Sequence, residues 1–185
     1  MDGMDLVARA KGLMMNPLAE WQVIAAEPAE TGHLFKSYVA PLSGLQAVGG
    51  LIGTALMGFG ALGFGGLLGS AIVGWGLSLL GVFVLAKIVA MLTPRFGGPA
   101  DPNAAMKLAA FAPTASWVGG AFMIIPWIGW IPALAGGLYS LFLFYVGTPI
   151  VMRIPKERVM GFALSVVLVA VLVNIVIGAI VAILF

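Results

Sequence analysis

Long uncharged stretches alternate with short charged ones along this chain, and the lengths of the uncharged stretches set the reading. No charged side chain occurs in residues 37–86, 108–152 or 159–185. A helix needs about 20 apolar residues to cross the hydrocarbon core of a bilayer. The first two stretches therefore each hold two spans and a turn, and the third holds one. Gly58-Phe59-Gly60-Ala61-Leu62-Gly63-Phe64-Gly65-Gly66 marks the first turn, and Pro126-Trp127-Ile128-Gly129-Trp130 the second. The pattern predicts spans at about 38–59, 67–92, 104–125, 131–152 and 159–185. Between the second and third, residues 93–103 contain three prolines and two glycines, which do not carry a helix forward. Asp101-Pro102 reads there as an N-cap and a first helical residue.

The expected fold class is thus all-α: an integral membrane bundle of five transmembrane helices (37–185) behind an N-terminal cytoplasmic segment (1–36). Within that segment Asn16-Pro17 starts a helix and Pro28 ends it. Leu18, Trp21, Ile24 and Ala25 fall on one face at helical spacing. A short amphipathic helix fits, either lying at the membrane surface or packed on the cytoplasmic ends of the spans. Charges of both signs interrupt residues 1–36, leaving no apolar region of signal-peptide length. The first span is expected to serve as its own uncleaved insertion signal.

Charge then orients the bundle. All nine basic residues (Arg9, Lys11, Lys36, Lys87, Arg95, Lys107, Arg153, Lys156, Arg158) fall in or beside the N-terminal segment, the 2–3 loop or the 4–5 link. Lysine and arginine mark the cytoplasmic side. The N-terminus is expected inside and the C-terminus outside, in a multi-pass protein of the bacterial inner membrane.

Composition agrees. The 185 residues are 62% hydrophobic and 9% charged, with mean hydropathy +1.12, where soluble domains run at about 45–50% apolar and about 25% charged. The scattered basic residues form no stripe for nucleic acid. With no cysteine, disulfides and thiolate chemistry are excluded. Glycine, at 26 residues, supplies small-xxx-small repeats: Gly49 with Gly53; Ser70, Gly74 and Ser78; Ala133 with Gly137; Asn174, Gly178 and Ala182. These fit close helix packing or self-association alike.

Candidate chemistry is sparse. Lys87 and Lys107 fall inside the predicted limits of spans 2 and 3 but near their cytoplasmic ends, where a long stem can snorkel to the interface. Asn174, an amide deep in span 5, suits a bond to another helix. His33 lies near Glu30 in the pre-membrane segment. No paired carboxylates, metal-ligand set, Ser/His/Asp arrangement or nucleotide loop is present, so neither enzyme nor cofactor is expected. No Asp or Glu lies inside the spans, which weighs against ion-coupled transport. Pro41, Pro113 and Pro149 sit in the inner halves of spans 1, 3 and 4, where each can bend its helix. They either open a cytoplasm-facing groove or adjust packing.

Several patterns together resemble the Yip-domain family (Ypt-interacting proteins) in its bacterial form. Pro17, Glu20-Trp21, Ile24 and Glu27 resemble the family's pre-membrane stretch. Tyr38-Val39-Ala40-Pro41-Leu42 resembles the beginning of its first span. Lys107-Leu108-Ala109-Ala110-Phe111 with Thr114 and Trp117 is similar to its third. Gly137-Leu138-Tyr139-Ser140-Leu141 with Gly147-Thr148-Pro149 is similar to its fourth. The resemblance runs from about residue 12 onward and implies five spans with the N-terminus inside. Eukaryotic members are associated with Rab-type GTPases through a long cytosolic region; here about 36 residues precede the first span.

Two functions follow as expectations. The first is a scaffold or adaptor that binds a protein partner or membrane lipid through its cytoplasmic face. Glu20, Trp21, Glu27, Arg95 and Lys107 are its contacts, and Pro41, Tyr139, Gly147, Pro149 and Asn174 are structural. The second is a passive conduit or lipid-handling protein with a groove between kinked, glycine-rich helices.

Overall fold

In a computed structural model the protein is described for residues 5–28, 30–58 and 63–184, with side chains except those of Phe64 and residues 173–184. The described residues are helical and contain no strand. Helices α1 (Leu6–Met15) and α2 (Pro17–Ala26) form a hairpin whose corner is Asn16, with Pro17 opening α2. The long helices are α3 (Thr31–Leu56), α4 (Gly63–Leu92), α7 (Trp130–Val151) and α8 (Lys156–Leu184). Between α4 and α7 stand two shorter ones, α5 (Pro102–Phe111) and α6 (Thr114–Ala121). Helix α3, the stretch Gly65–Phe96 and α7 are long and apolar enough to cross a membrane.

The first span begins earlier than its apolar run does, because α3 runs unbroken from Thr31 through the charged Lys36. It does so by a π turn at Phe35–Val39, where the Ala40 N–H donates to the Phe35 carbonyl. Pro41 has no N–H and its ring crowds the carbonyl four residues back. A widened turn just upstream accommodates both defects.

The third predicted span, 104–125, is not one helix. It breaks at Ala112-Pro113 into α5 and α6, and ends in a 3-10 turn at Phe122–Ile124. The groups freed by the break find partners. Thr114 Oγ1 donates to the Phe111 carbonyl (2.6 Å), and the Ser116 N–H donates to Ser140 Oγ on α7 (2.8 Å). Such side-chain repair is what lets broken helices persist away from water. Pro149 lies so near the end of α7, at Val151, that little helix remains beyond it to bend.

Helices α6 and α7 pack backbone to backbone at Gly119 and Gly136. A Cβ on Gly119 would strike the Pro132 carbonyl, and one on Gly136 the Ala115 carbonyl. Fully buried side chains gather toward the charged end of the bundle, among them Trp21, Tyr38, Phe111, Leu143 and Phe162. Large apolar side chains on the long helices, such as Leu77, Leu138 and Leu164, face outward. That distribution suits a bundle whose solvent is lipid.

Candidate functional site

Opposite charges spaced across the Asn16-Pro17 corner bring the α1–α2 hairpin together. Glu20 on α2 and Glu27, the residue just past its end, lie two turns apart, and both face Arg9 of α1. Its guanidinium contacts Glu20 Oε1 at 2.5 Å and the two Glu27 oxygens at 2.6 and 2.7 Å. The Arg9 side chain is 10% exposed, against 21% for Glu20 and 42% for Glu27. Burial lowers the affinity of this guanidinium for its proton, but Glu27 and then Glu20 outweigh it and raise the pKa above the ordinary arginine value. The cation also lies 5.9 Å from the Phe111 ring centroid, within cation–π range.

Trp21 fastens the hairpin to the bundle. Its indole is fully buried, edge-on to Phe111 at 6.5 Å between centroids. The ring lies flat against Gly147 of α7, where a Cβ would come within 2.5 Å of an indole carbon. Ile24 is buried beside it, whereas Leu18 is exposed. The indole N–H has no hydrogen-bond partner among the described residues.

Two further contacts hold the hairpin by its backbone. Lys107 Nζ donates to the Ala25 and Glu27 carbonyls (3.1 and 2.5 Å), at the end of α2 where unpaired carbonyls and the helix dipole favour a cation. Tyr139 donates its hydroxyl proton to the Met14 carbonyl at the end of α1 (2.9 Å). Phe111 sits at the centre, because Tyr38 packs on its other side at 4.6 Å and hydrogen-bonds Thr114 at 2.8 Å.

Beside this clasp lies a pocket of about 240 Å³, lined by Glu27, Asp101, Asn103, Lys107 and Arg153 among others. Asp101 caps α5, accepting from the Asn103 and Ala104 N–H groups at 2.9 and 3.1 Å. Arg153 follows α7 with φ +52°, a left-handed conformation uncommon for a residue with a side chain.

Of the residues singled out from sequence, Glu20, Trp21, Glu27 and Lys107 come together, joined by Tyr139 and Gly147. Trp21 is not on the contact surface assigned to it: the ring is inside, because Gly147 leaves the space that holds it. Glu20 and Lys107 are likewise engaged within the protein. Arg95 is exposed in a 3-10 turn, Thr93–Phe96, away from this pocket. The Asn174 side chain falls outside those described. Sequence reading missed Arg9, Phe111 and Arg153. Arg9 had a usable signal, since it lies 11 and 18 residues from two acids across a helix-breaking Asn-Pro.

Comparison with known proteins gives a family match and two relatives. The profile of the Yip1 domain matches residues 11–178. The chain is 28% identical over 174 residues to inner membrane protein YohC of Escherichia coli K12, covering 88% of each protein. The YohC of Escherichia coli O6:H1 (strain CFT073) matches to the same extent. No solved structure matches.

Proposed function

The chain belongs to the Yip1 domain family, and from that premise we propose that it is a non-enzymatic scaffold or adaptor of the bacterial inner membrane. In this reading α3, α4, the broken α5–α6 unit, α7 and α8 cross the bilayer as five spans. The hairpin is cytoplasmic and the C-terminus outside. The placement of basic residues supports that orientation, and YohC, an inner membrane protein by name, supports the choice of membrane.

The observation that carries the adaptor reading is the division of charge at this end. Arg9 is held in ion pairs, while Arg95, Arg153, Lys156 and Arg158 are exposed with no ion pair among the described residues. A fastened hairpin beside free cations is a surface that an acidic partner segment or anionic headgroups recognise. Glu20, Trp21, Glu27 and Lys107 shape it from within, and Arg95 and Arg153 make contact. Crosslinking in cells followed by capture from native membranes tests this. The partner recovered with wild type should be lost with Arg95→Ala/Arg153→Ala at equal membrane content; equal recovery would remove the assignment.

A second reading, a passive conduit or lipid-handling protein, draws on one observation. A groove of about 330 Å³ separates α3 from α4 and carries several polar side chains. Solute or lipid movement in liposomes above the protein-free rate would support it, and its absence with folded protein would count against it.

A further inference from the structure

The groove between α3 and α4 is polar where its surroundings are apolar. Ser43, Gln46 and Thr54 line it from α3, and Ser70, Trp75 and Ser78 from α4; the end of the broken span closes its floor. Trp75 bridges the two helices at one end, its indole N–H donating to Ser43 Oγ (3.1 Å) and the Ala40 carbonyl (3.3 Å). From there the groove runs along both helices to Thr54 and Ser70, near the ends where α3 and α4 approach their connection.

Two features define what would occupy it. The first is unmet hydrogen bonding. The Gln46 amide and the Ser78 hydroxyl have no partner among the described residues, and an unpaired polar group in a bilayer interior costs several kcal/mol. The second is the sign of the lining. The hydroxyl protons of Ser43, Thr54 and Ser70 are directed to backbone carbonyls of Val39, Gly50 and Leu67 (2.6, 2.8 and 2.9 Å). The Ser43 oxygen is taken by Trp75, but those of Thr54 and Ser70 are left as acceptors, and the Gln46 amide and Ser78 hydroxyl can both accept and donate. No charged side chain lines the groove. An acceptor-rich, uncharged wall selects a neutral molecule with several hydroxyl donors. It offers nothing to balance an ion or a phosphate, and an acyl chain would leave the Gln46 amide and the Ser78 hydroxyl unmet.

We propose that this groove is a binding site for a small uncharged polyol, reached by water from its Thr54–Ser70 end. The site is independent of the charged end, and it names a ligand class for the second reading above, on which it otherwise does not depend.

The absence of cysteine makes the test direct. A Cβ at Gly50 or Gly74 meets nothing within 4 Å, so Gly50→Cys and Gly74→Cys place a thiol in the groove without disturbing packing. Leu77→Cys, on the outward face of α4, and Trp127→Cys, in the exposed turn before α7, are the references. Spheroplasts of an expressing bacterium receive a membrane-impermeant charged thiol reagent, with glycerol or osmotically matched potassium chloride. The expected result is labelling at positions 50 and 74 close to that at 127 and well above that at 77. Glycerol should slow it several-fold where the salt does not, and Gln46→Leu should abolish the slowing while labelling persists. Positions 50 and 74 as unreactive as 77, with 127 labelled, would overturn the site. Labelling equally fast in glycerol and salt would overturn polyol binding. Slowing by glycerol without glycerol flux in liposomes would keep the site and remove the conduit.

Discussion

Gly147 and Trp21 form one contact, and neither explains itself alone. The glycine needs no unusual backbone conformation; it is small because an indole lies on it. Gly147→Ala should lift Trp21 from its seat at a cost of about 1–3 kcal/mol, the usual range for overpacking. Trypsin cleavage at Arg9 and Lys11 should then accelerate at least several-fold while cleavage elsewhere is unchanged. Arg9→Gln keeps much of the bulk but leaves two carboxylates facing each other. Both carboxylates are partly exposed, so the expected loss is modest, about 1–2 kcal/mol. Trypsin then lacks its site at Arg9, so the readout is faster amide exchange confined to residues 6–26. A uniform loss of stability across the bundle would argue against a local clasp.

Among the elements, the broken α5–α6 unit separates what was legible in the sequence from what was not. Pro113 was visible, and so was its power to bend a helix. The repair was not, because Ser116 and Ser140 lie 24 residues apart and neither stands out in composition. Ser140→Ala removes the acceptor and strands the Ser116 N–H. A melting experiment in detergent should show about 1–2 kcal/mol of destabilisation, and Ser140→Thr should restore much of it. Arg153 has the opposite character, since its backbone lies where glycine is favoured after a helix. Arg153→Gly should stabilise the protein by up to about 1 kcal/mol, even as it weakens partner capture. The small-residue repeats also divide. Gly49 and Gly53 meet backbone at Ala121 and Met123, whereas Gly74 and Gly137 face open space. Glycine spacing looks the same in both cases, and only the neighbouring helix distinguishes them.

For the molecule as a whole, uncharged run lengths located the long helices to within a few residues at most ends, because burial in lipid leaves so strong a compositional trace. The same runs could not reveal that the pre-membrane stretch faces inward, since an amphipathic face reads alike against lipid and against protein. The proposed five-span arrangement with the N-terminus inside makes its own prediction. Alkaline phosphatase fused after Phe185 should be active, and the same reporter fused at Gly98 inactive. The reverse pattern would require another assignment of sides.

The fastening of the hairpin to Lys107 and Gly147 has a consequence in time. Trp21 is made 126 residues before the glycine that seats it. At roughly 5–20 residues per second of synthesis, the finished hairpin waits for roughly 6–25 seconds without its dock. During that interval an apolar indole and Ile24 stand open to chaperones and to the membrane surface. The first helices to leave the ribosome are thus among the last to reach their final position.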